Sequence, residues 1–323
     1  MAVYTEVSFD EAAALVERLS IGELTALQPI RGGIENTNYF ADTTHGRYVL
    51  TLFERLTHAQ LPFYLRLMQH LARRGLRVPG PQADAAGEIL HTLKGKPAAV
   101  VERLRGRHDL APDAAHCALV GQALAHMHLA AADFPLVQPN LRGLAWWEET
   151  VPVVRPFVGP EQAALLDDEL AFQRQFAATP ACRSLPAGPI HADLFRDNVM
   201  FDDGPAGIEL TGLMDFYFAG VDTLLFDIGV CLNDWCIDLA SGRLDETRAL
   251  AFVAAYDGVR ALGGGELRAL PALMRAAALR FWVSRLWDLH LPRDAELLVP
   301  HDPGHFERVL RARREAPWHY VRA

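Results

Sequence analysis

Pro189-Ile190-His191-Ala192-Asp193-Leu194-Phe195-Arg196-Asp197-Asn198-Val199-Met200-Phe201 is the stretch whose reading decides the fold. Two apolar-leaning residues lead in, a polar segment carries His-x-Asp with an Asn five positions after the Asp, and an apolar run leads out. The pattern predicts a loop presented between two strands. Its side chains suit phosphoryl transfer. Asp193 can accept or orient the proton of an attacking hydroxyl, and the amide oxygen of Asn198 is a hard ligand suited to Mg²⁺. Such a metal site needs a second acid. Residues Ile208 to Phe216 read as a strand ending in Asp215, which supplies that acid.

The set His191, Asp193, Asn198 and Asp215 resembles the catalytic loop of the aminoglycoside-phosphotransferase-like kinases, cousins of the protein kinases that write His-x-Asp-x-x-x-x-Asn. A second stretch extends the resemblance. Gly33-Ile34-Glu35-Asn36-Thr37-Asn38-Tyr39-Phe40, followed by Tyr48-Val49-Leu50-Thr51-Leu52-Phe53-Glu54, closely resembles the N-terminal lobe of the bacterial homoserine kinases of that group. The resemblance implies an α+β, two-lobed, protein-kinase-like fold. A small antiparallel-sheet lobe would span residues 1–103 and a larger, mainly helical lobe residues 104–323, with the hinge at about 102–107. It also implies ATP and Mg²⁺ as cofactors and the side-chain hydroxyl of L-homoserine as acceptor, giving O-phospho-L-homoserine on the route to threonine. Asp227 would brace the catalytic loop, which His191 and Arg196 would help to shape.

Composition narrows the function classes. The chain has 323 residues, half of them hydrophobic, and a net charge of -9. That balance fits a globular enzyme and argues against nucleic acid as a partner. No charged-then-apolar N-terminal segment with a cleavage site is seen, and no apolar run approaches the roughly 18 residues that span a bilayer. No membrane partner and a cytoplasmic location are therefore expected. Cys117, Cys182, Cys231 and Cys236 lack Cys-x-x-Cys spacing and read as small apolar residues.

In the first lobe, Phe9 to Leu19 reads as a helix capped by Ser8 and Glu11. Leu24 to Ile30, Tyr39 to Asp42 and Arg47 to Phe53 read as strands. The polar turn between the first two holds Gly32 and Gly33, where backbone N–H groups can approach phosphate without a Cβ in the way. With Asn36, Thr37 and Asn38 it is the expected phosphate-covering segment. In most kinases of this shape the third strand carries a lysine paired with a glutamate on the next helix. Here Thr51 fills that slot and the helix candidate Gln60 to Arg74 has no acid, so the ion pair is expected to be absent. Phosphate charge would then fall to Mg²⁺, loop N–H groups and Arg31 or Arg55. Lys94 and Lys96, the only lysines, flank Gly95 in a predicted solvated turn between strands at Glu88–Thr92 and Pro97–Glu102. By the resemblance, Glu102 and Leu104 mark the hinge where backbone groups meet adenine.

The second lobe opens with a helix from about Pro112 to Ala132. His126 and His128 point to different sides of it, His128 to the core or toward the loop. An irregular connection through Trp146-Trp147 follows, then helices at Glu161–Phe176, Cys231–Leu239, Asp245–Tyr256, Leu267–Leu289 and Phe306–Arg314, with Gly220–Val230 a turn feeding a helix. An amino acid acceptor needs carboxylates facing its ammonium and a cation or amides facing its carboxylate. Candidates are Asn233, Asp234 and Asp238 on one helix and Arg280, Trp282, Arg285, Trp287 and Asp288 on another. Asp234, Asp238, Arg285 and Asp288 are the four expected to contact substrate. Two rival readings remain: a kinase of another amino alcohol, choline, ethanolamine, a sugar or an aminoglycoside, and a nucleotide-binding pseudokinase suggested by the missing lysine.

Overall fold

A computed structural model describes residues 5–30, 36–205, 207–291 and 301–322. The chain divides into two compact units, the first running to Arg105 and the second beginning at Gly106.

The first unit starts with α1 (Phe9–Arg18), whose Ser8 and Glu11 form the reciprocal cap expected from their spacing. Strands β1 (Leu24–Pro29), β2 (Asn36–Thr43) and β3 (Arg47–Phe53) lead to α2 (Leu61–Arg73), then β4 (His91–Leu93) and β5 (Lys96–Glu102). They form one antiparallel sheet in the order β1-β2-β3-β5-β4. β2 begins at Asn36, earlier than the sequence suggested, because Asn36, Thr37 and Asn38 pair in register with Phe53, Leu52 and Thr51. Strand alternation then sorts the side chains. Tyr39, Leu50, Leu52, Ala98 and Val100 form a core with Ala12, Leu15, Val16 and Leu19 around α1. Asn38, Thr51 and Ala99, adjacent in register across three strands, share the opposite face.

The second unit is mostly helical: α3 (Ala114–Ala130), α4 (Leu144–Val154), α5 (Pro160–Ala177), the short α6 (Pro180–Arg183), and, after four short strands, α7 (Leu224–Trp235), α8 (Glu246–Val259), α9 (Gly264–His290) and α10 (Pro303–Glu315). The strands β6 (Ala187–Ile190), β7 (Val199–Gly204), β8 (Gly207–Leu213) and β9 (Gly220–Thr223) make two antiparallel pairs, β6 with β9 and β7 with β8. Three elements depart from the sequence reading. α4 stands where an irregular connection was expected; Trp147, Thr150, Val151 and Val154 are its buried stripe, and Pro152, which removes one i→i−4 hydrogen bond, lies in its last turn, two residues before it ends. Gly220 to Thr223 is a strand, since it finds a partner in β6. α7 starts at Leu224 and stops at Trp235, so Asp238 lies beyond it in a turn. α7 is buried on every side and lies close to α9: a Cβ on Gly229 would sit 2.8 Å from the Leu273 carbonyl oxygen.

Candidate active site

The central loop runs from the end of β6 through a 3₁₀ turn at Arg196–Asn198 into β7. Two buried carboxylates hold it. Asp227, in the first turn of α7, accepts the backbone N–H of His191 at 2.7 Å through Oδ2 and of Ala192 at 2.6 Å through Oδ1. Its Oδ2 also lies 3.1 Å from His128 Nε2, whose Nδ1 meets the Tyr256 hydroxyl at 2.8 Å. Asp234, near the end of α7, accepts from Arg196 through the backbone N–H at 2.9 Å and through Nε at 3.1 Å. Arg196 further donates to the Asp234 and Leu110 carbonyl oxygens. The entry and exit of the loop are thus tied to one helix.

Two hydrogen bonds fix the His191 tautomer. Nδ1 accepts from the Asp193 N–H at 3.3 Å, so Nε2 carries the hydrogen and donates to the Met214 carbonyl at 2.9 Å. The ring is fully buried, packs on Phe216 at 4.5 Å, and is held below the usual histidine pKa by burial. Ala192 sits at φ 64, a left-handed conformation that costs about 1–2 kcal/mol for a residue with a Cβ. The two bonds to Asp227 on either side of that peptide hold it there, and the turn directs Asp193.

The Asp193 carboxylate is 16% exposed and has Arg280 Nη1 at 3.8 Å from Oδ1. Its pKa is pushed up to about 8, chiefly by burial, with Arg280 opposing and Asp215, Asp197 and Asp234 reinforcing the rise. Asn198 donates its Nδ2 to the Asp193 carbonyl at 2.8 Å, which leaves Oδ1 as an acceptor facing elsewhere. The β7–β8 register brings Asp215 to the same place, since the Met214 N–H bonds the Asn198 carbonyl at 2.9 Å. Asp215 is exposed and, like Ala192, has a positive φ, 62. An amide oxygen and an exposed carboxylate at one hairpin end are a donor set that fits a hard divalent cation. Among the described residues no cluster of three or more His, Cys, Asp or Glu side chains could hold a metal, so this two-residue set would leave the other positions to phosphate oxygens and water.

Of the four residues expected to contact the acceptor, Arg285 lies close enough to Asp234 and to Asp193 to interact with them electrostatically, whereas Asp238 lies apart in a turn of its own. Asp234 is engaged with Arg196, as above. Asp238 is exposed and caps its own turn by accepting from the Ser241 N–H and hydroxyl. Arg285 donates to the Asp302 carbonyl at 3.2 Å and lies 4.4 Å from the Phe306 ring centroid. Asp288 is half-buried further along α9 and close enough to favour the charged form of Arg280. Arg280 is the residue that faces Asp193. Its guanidinium lies 3.7 Å from the Phe281 ring centroid and 4.9 Å from that of Phe218, and its Nε and Nη2 are buried without a hydrogen-bond partner among the described residues. The sequence placed Arg280 on the right helix but carried no signal for its rotation relative to the loop. His128 was legible only as a core or loop-facing histidine.

In the first unit, the Thr51 hydroxyl donates to Asn38 Oδ1 at 2.7 Å, so the lysine slot holds a side-chain pair. Thr37 lies on the opposite face, fully buried, with its hydroxyl donating to Glu54 at 2.6 Å and accepting from the Thr5 N–H at 3.1 Å. That hydroxyl is therefore engaged in the core of the unit. Lys96 is not simply solvated: it pairs with Glu54 and donates to the Thr5 hydroxyl, while Lys94 reaches Glu11 at 2.7 Å. α2 carries no acid. Asn36 opens β2 opposite Phe53; Glu102 ends β5 opposite Tyr48, and Leu104 follows outside any regular element. Gly32 and Gly33, with Arg31, lie outside the described residues.

A small antiparallel sheet with a helical unit, and a His-x-Asp loop set against an Asp-terminated hairpin, define a phosphotransferase. The chain belongs to the phosphotransferase enzyme family of the aminoglycoside-phosphotransferase type, whose pattern matches residues 26–262. Within it, the chain is 65% identical over 318 residues to the homoserine kinase of Polaromonas naphthalenivorans (strain CJ2), covering 98% of this chain and 99% of that protein. It is 53% identical over 315 residues to the homoserine kinase of Janthinobacterium sp. (strain Marseille), covering 98% and 97%. Among solved structures it is similar to amicoumacin kinase hAmiN in complex with AMP-PNP, Ca2+ and Ami, with TM-score 0.66, 17% identity, and coverage of 95% of this chain and 93% of that one. It is also similar to a Plasmodium vivax ethanolamine kinase, with TM-score 0.64, 13% identity, and coverage of 94% and 87%. The fold is the α+β, protein-kinase-like one that these kinases share.

Proposed function

We propose that this protein is an ATP-dependent kinase that phosphorylates the side-chain hydroxyl of L-homoserine to O-phospho-L-homoserine, in the cytoplasm. The observation that carries the chemistry is the buried Asp193 carboxylate, held by a hydrogen-bonded loop beside Asn198 and Asp215. The acceptor rests on the homoserine kinases to which the chain is similar over nearly its full length.

In this reading the acceptor oxygen bonds to the γ-phosphorus as the bridging β–γ oxygen bond breaks, ADP leaves, and Asp193 orients the hydroxyl and takes its proton. A raised pKa suits a carboxylate to that acceptance near neutral pH. A divalent cation, Mg²⁺ as the physiological choice, would be held by Asn198 and Asp215 and supplies positive charge against the phosphates. His191, Arg196 and Asp227 keep the loop in position. On the nucleotide side, the lobe of residues 1–103 would meet phosphate through Gly32, Gly33, Asn36 and the Asn38–Thr51 pair, and adenine through the backbone at Glu102 and Leu104, where the hinge of residues 102–107 leads into the lobe of residues 104–323.

The test is ADP release by the purified protein with Mg²⁺-ATP, offered L-homoserine, D-homoserine, L-serine, L-threonine, choline, ethanolamine and kanamycin in turn. Turnover on L-homoserine well above the others is expected. Preference for another alcohol would keep the chemistry and overturn the acceptor; nucleotide binding without turnover on any of them would overturn both.

A further inference from the structure

Among the described residues, the guanidinium of Arg280 is a strongly polar group beside Asp193 that the folded chain leaves incomplete. Its side chain is 4% exposed. One corner, Nη1, approaches Asp193; the rings of Phe281 and Phe218 lie against it; and the remaining edge, Nε with Nη2, has no protein acceptor among the described residues. That edge is the planar fork that matches a carboxylate with two parallel hydrogen bonds. A buried donor pair without an acceptor is unfavourable in the free protein, and a group that supplies one on binding removes the penalty. Resting on the proposed function, we infer that the Nε–Nη2 edge of Arg280 receives the α-carboxylate of the amino acid acceptor, making Arg280 the residue that selects an amino acid over a bare amino alcohol.

The geometry suits a short hydroxy amino acid. One guanidinium spans the Asp193 carboxylate, where the reacting hydroxyl must sit, and the edge offered to the ligand's carboxylate, so hydroxyl and carboxylate are read by two sides of one planar group. Burial lowers the pKa of Arg280 to about 10, with Asp193 and Asp288 favouring the charged form and Arg142 opposing it, so the fork stays charged at neutral pH. Asp288, on the same helix, adds negative charge in the neighbourhood that an α-ammonium group would share. Arg285, the arginine singled out from sequence, has Nη1 on the Asp302 carbonyl and its guanidinium against Phe306.

The experiment compares kcat/KM for L-homoserine and for 3-aminopropan-1-ol, which keeps the hydroxyl and the ammonium and lacks only the carboxylate. Wild type, Arg280→Gln and Arg280→Lys are each assayed, with near-UV circular dichroism to establish folding. The lysine variant keeps the charge and loses the fork, and it carries the test if the glutamine variant does not fold. Wild type is expected to prefer homoserine by about 100-fold, and each variant to lose about 30-fold more activity on homoserine than on the amino alcohol, the size of a charge-assisted pair. Equal losses on both acceptors would mean that Arg280 serves only Asp193 or the phosphoryl group, and would overturn the inference while leaving the proposed function standing. A wild type that does not discriminate between the two acceptors would also overturn it. No turnover of L-homoserine by wild type would overturn the proposed function and this inference with it.

Discussion

The Asp193 loop of the second unit and the β2–β3 strand pair of the first both carry polar side chains assigned to phosphoryl transfer in the proposed function, yet they are held in different ways. The loop has little regular structure of its own and hangs on buried carboxylates: Asp227 takes two backbone N–H groups and faces a histidine, and Asp234 takes the backbone and side chain of Arg196. The strand pair is held by its ladder, from Asn36 opposite Phe53 to Asp42 opposite Arg47, and Thr51 and Asn38 merely add one bond to it. A loop needs strong, unreplaceable side-chain acceptors because its backbone donors have no strand to satisfy them. The same chemical task therefore makes the first region sensitive to single side chains and the second tolerant of them.

Asp227→Ala puts the most strain on that difference. It leaves the His191 and Ala192 N–H groups and His128 without their buried acceptor, and a loss of about 3–5 kcal/mol is expected in urea unfolding, with activity falling alongside. A loss below about 1 kcal/mol would show that the loop is held by something else.

Acid should act on the loop as well. Burial lowers the His191 pKa in the folded state, so between that depressed value and the unfolded value of about 6.5 the unfolded chain binds more protons and stability falls as pH is lowered. Protonation would also set an Nδ1–H against the Asp193 N–H that it now accepts. The unfolding free energy of the wild type in urea should therefore fall between pH 7 and pH 5 more steeply than that of His191→Gln, by up to about 1.4 kcal/mol per pH unit. Parallel pH profiles would remove His191 from the account.

Thr51→Val, on the other side of the comparison, removes one side-chain hydrogen bond from a ladder that stays intact. About 0.5–1.5 kcal/mol of stability should be lost. If the pair faces phosphate, the KM for ATP should rise with little change in kcat; an effect as large as that of Asp227→Ala would erase the distinction drawn here.

How much of this was legible in the sequence follows the same divide. That His191, Asp193, Asn198 and Asp215 come together was legible because they lie within one short stretch and the hairpin that unites them, β7 with β8, is local. The α1 cap and the β-strand alternation were legible for the same reason: they are set by neighbours in sequence. What could not be read depends on packing between distant segments. The four expected acceptor residues assumed that Asp234 and Asp238 share a helix, but α7 ends at Trp235, and the Asp234 carboxylate is claimed by Arg196, 38 residues earlier. Arg280 and Arg285 look alike in sequence, and only the packing of α9 against its neighbours brings Arg280 Nη1 to 3.8 Å from Asp193 Oδ1. Thr37 looked like a turn residue because its side chain is polar, whereas its partner, Glu54, lies just past the end of the neighbouring strand. The pairing of Lys96 with Glu54 was hidden likewise, since 42 residues separate them.

The central claim is that the loop exists to aim one carboxylate, and the measurement that tests it most directly is steady-state turnover of L-homoserine by Asp193→Asn alongside its thermal unfolding. The replacement is nearly isosteric but takes a carboxylate from beside the buried Arg280, so the protein should still fold, with a modestly lowered melting temperature. Turnover should fall by about 10²–10⁴, roughly 3–5 kcal/mol of barrier. A folded Asp193→Asn protein that keeps more than about a tenth of wild-type turnover would contradict the account.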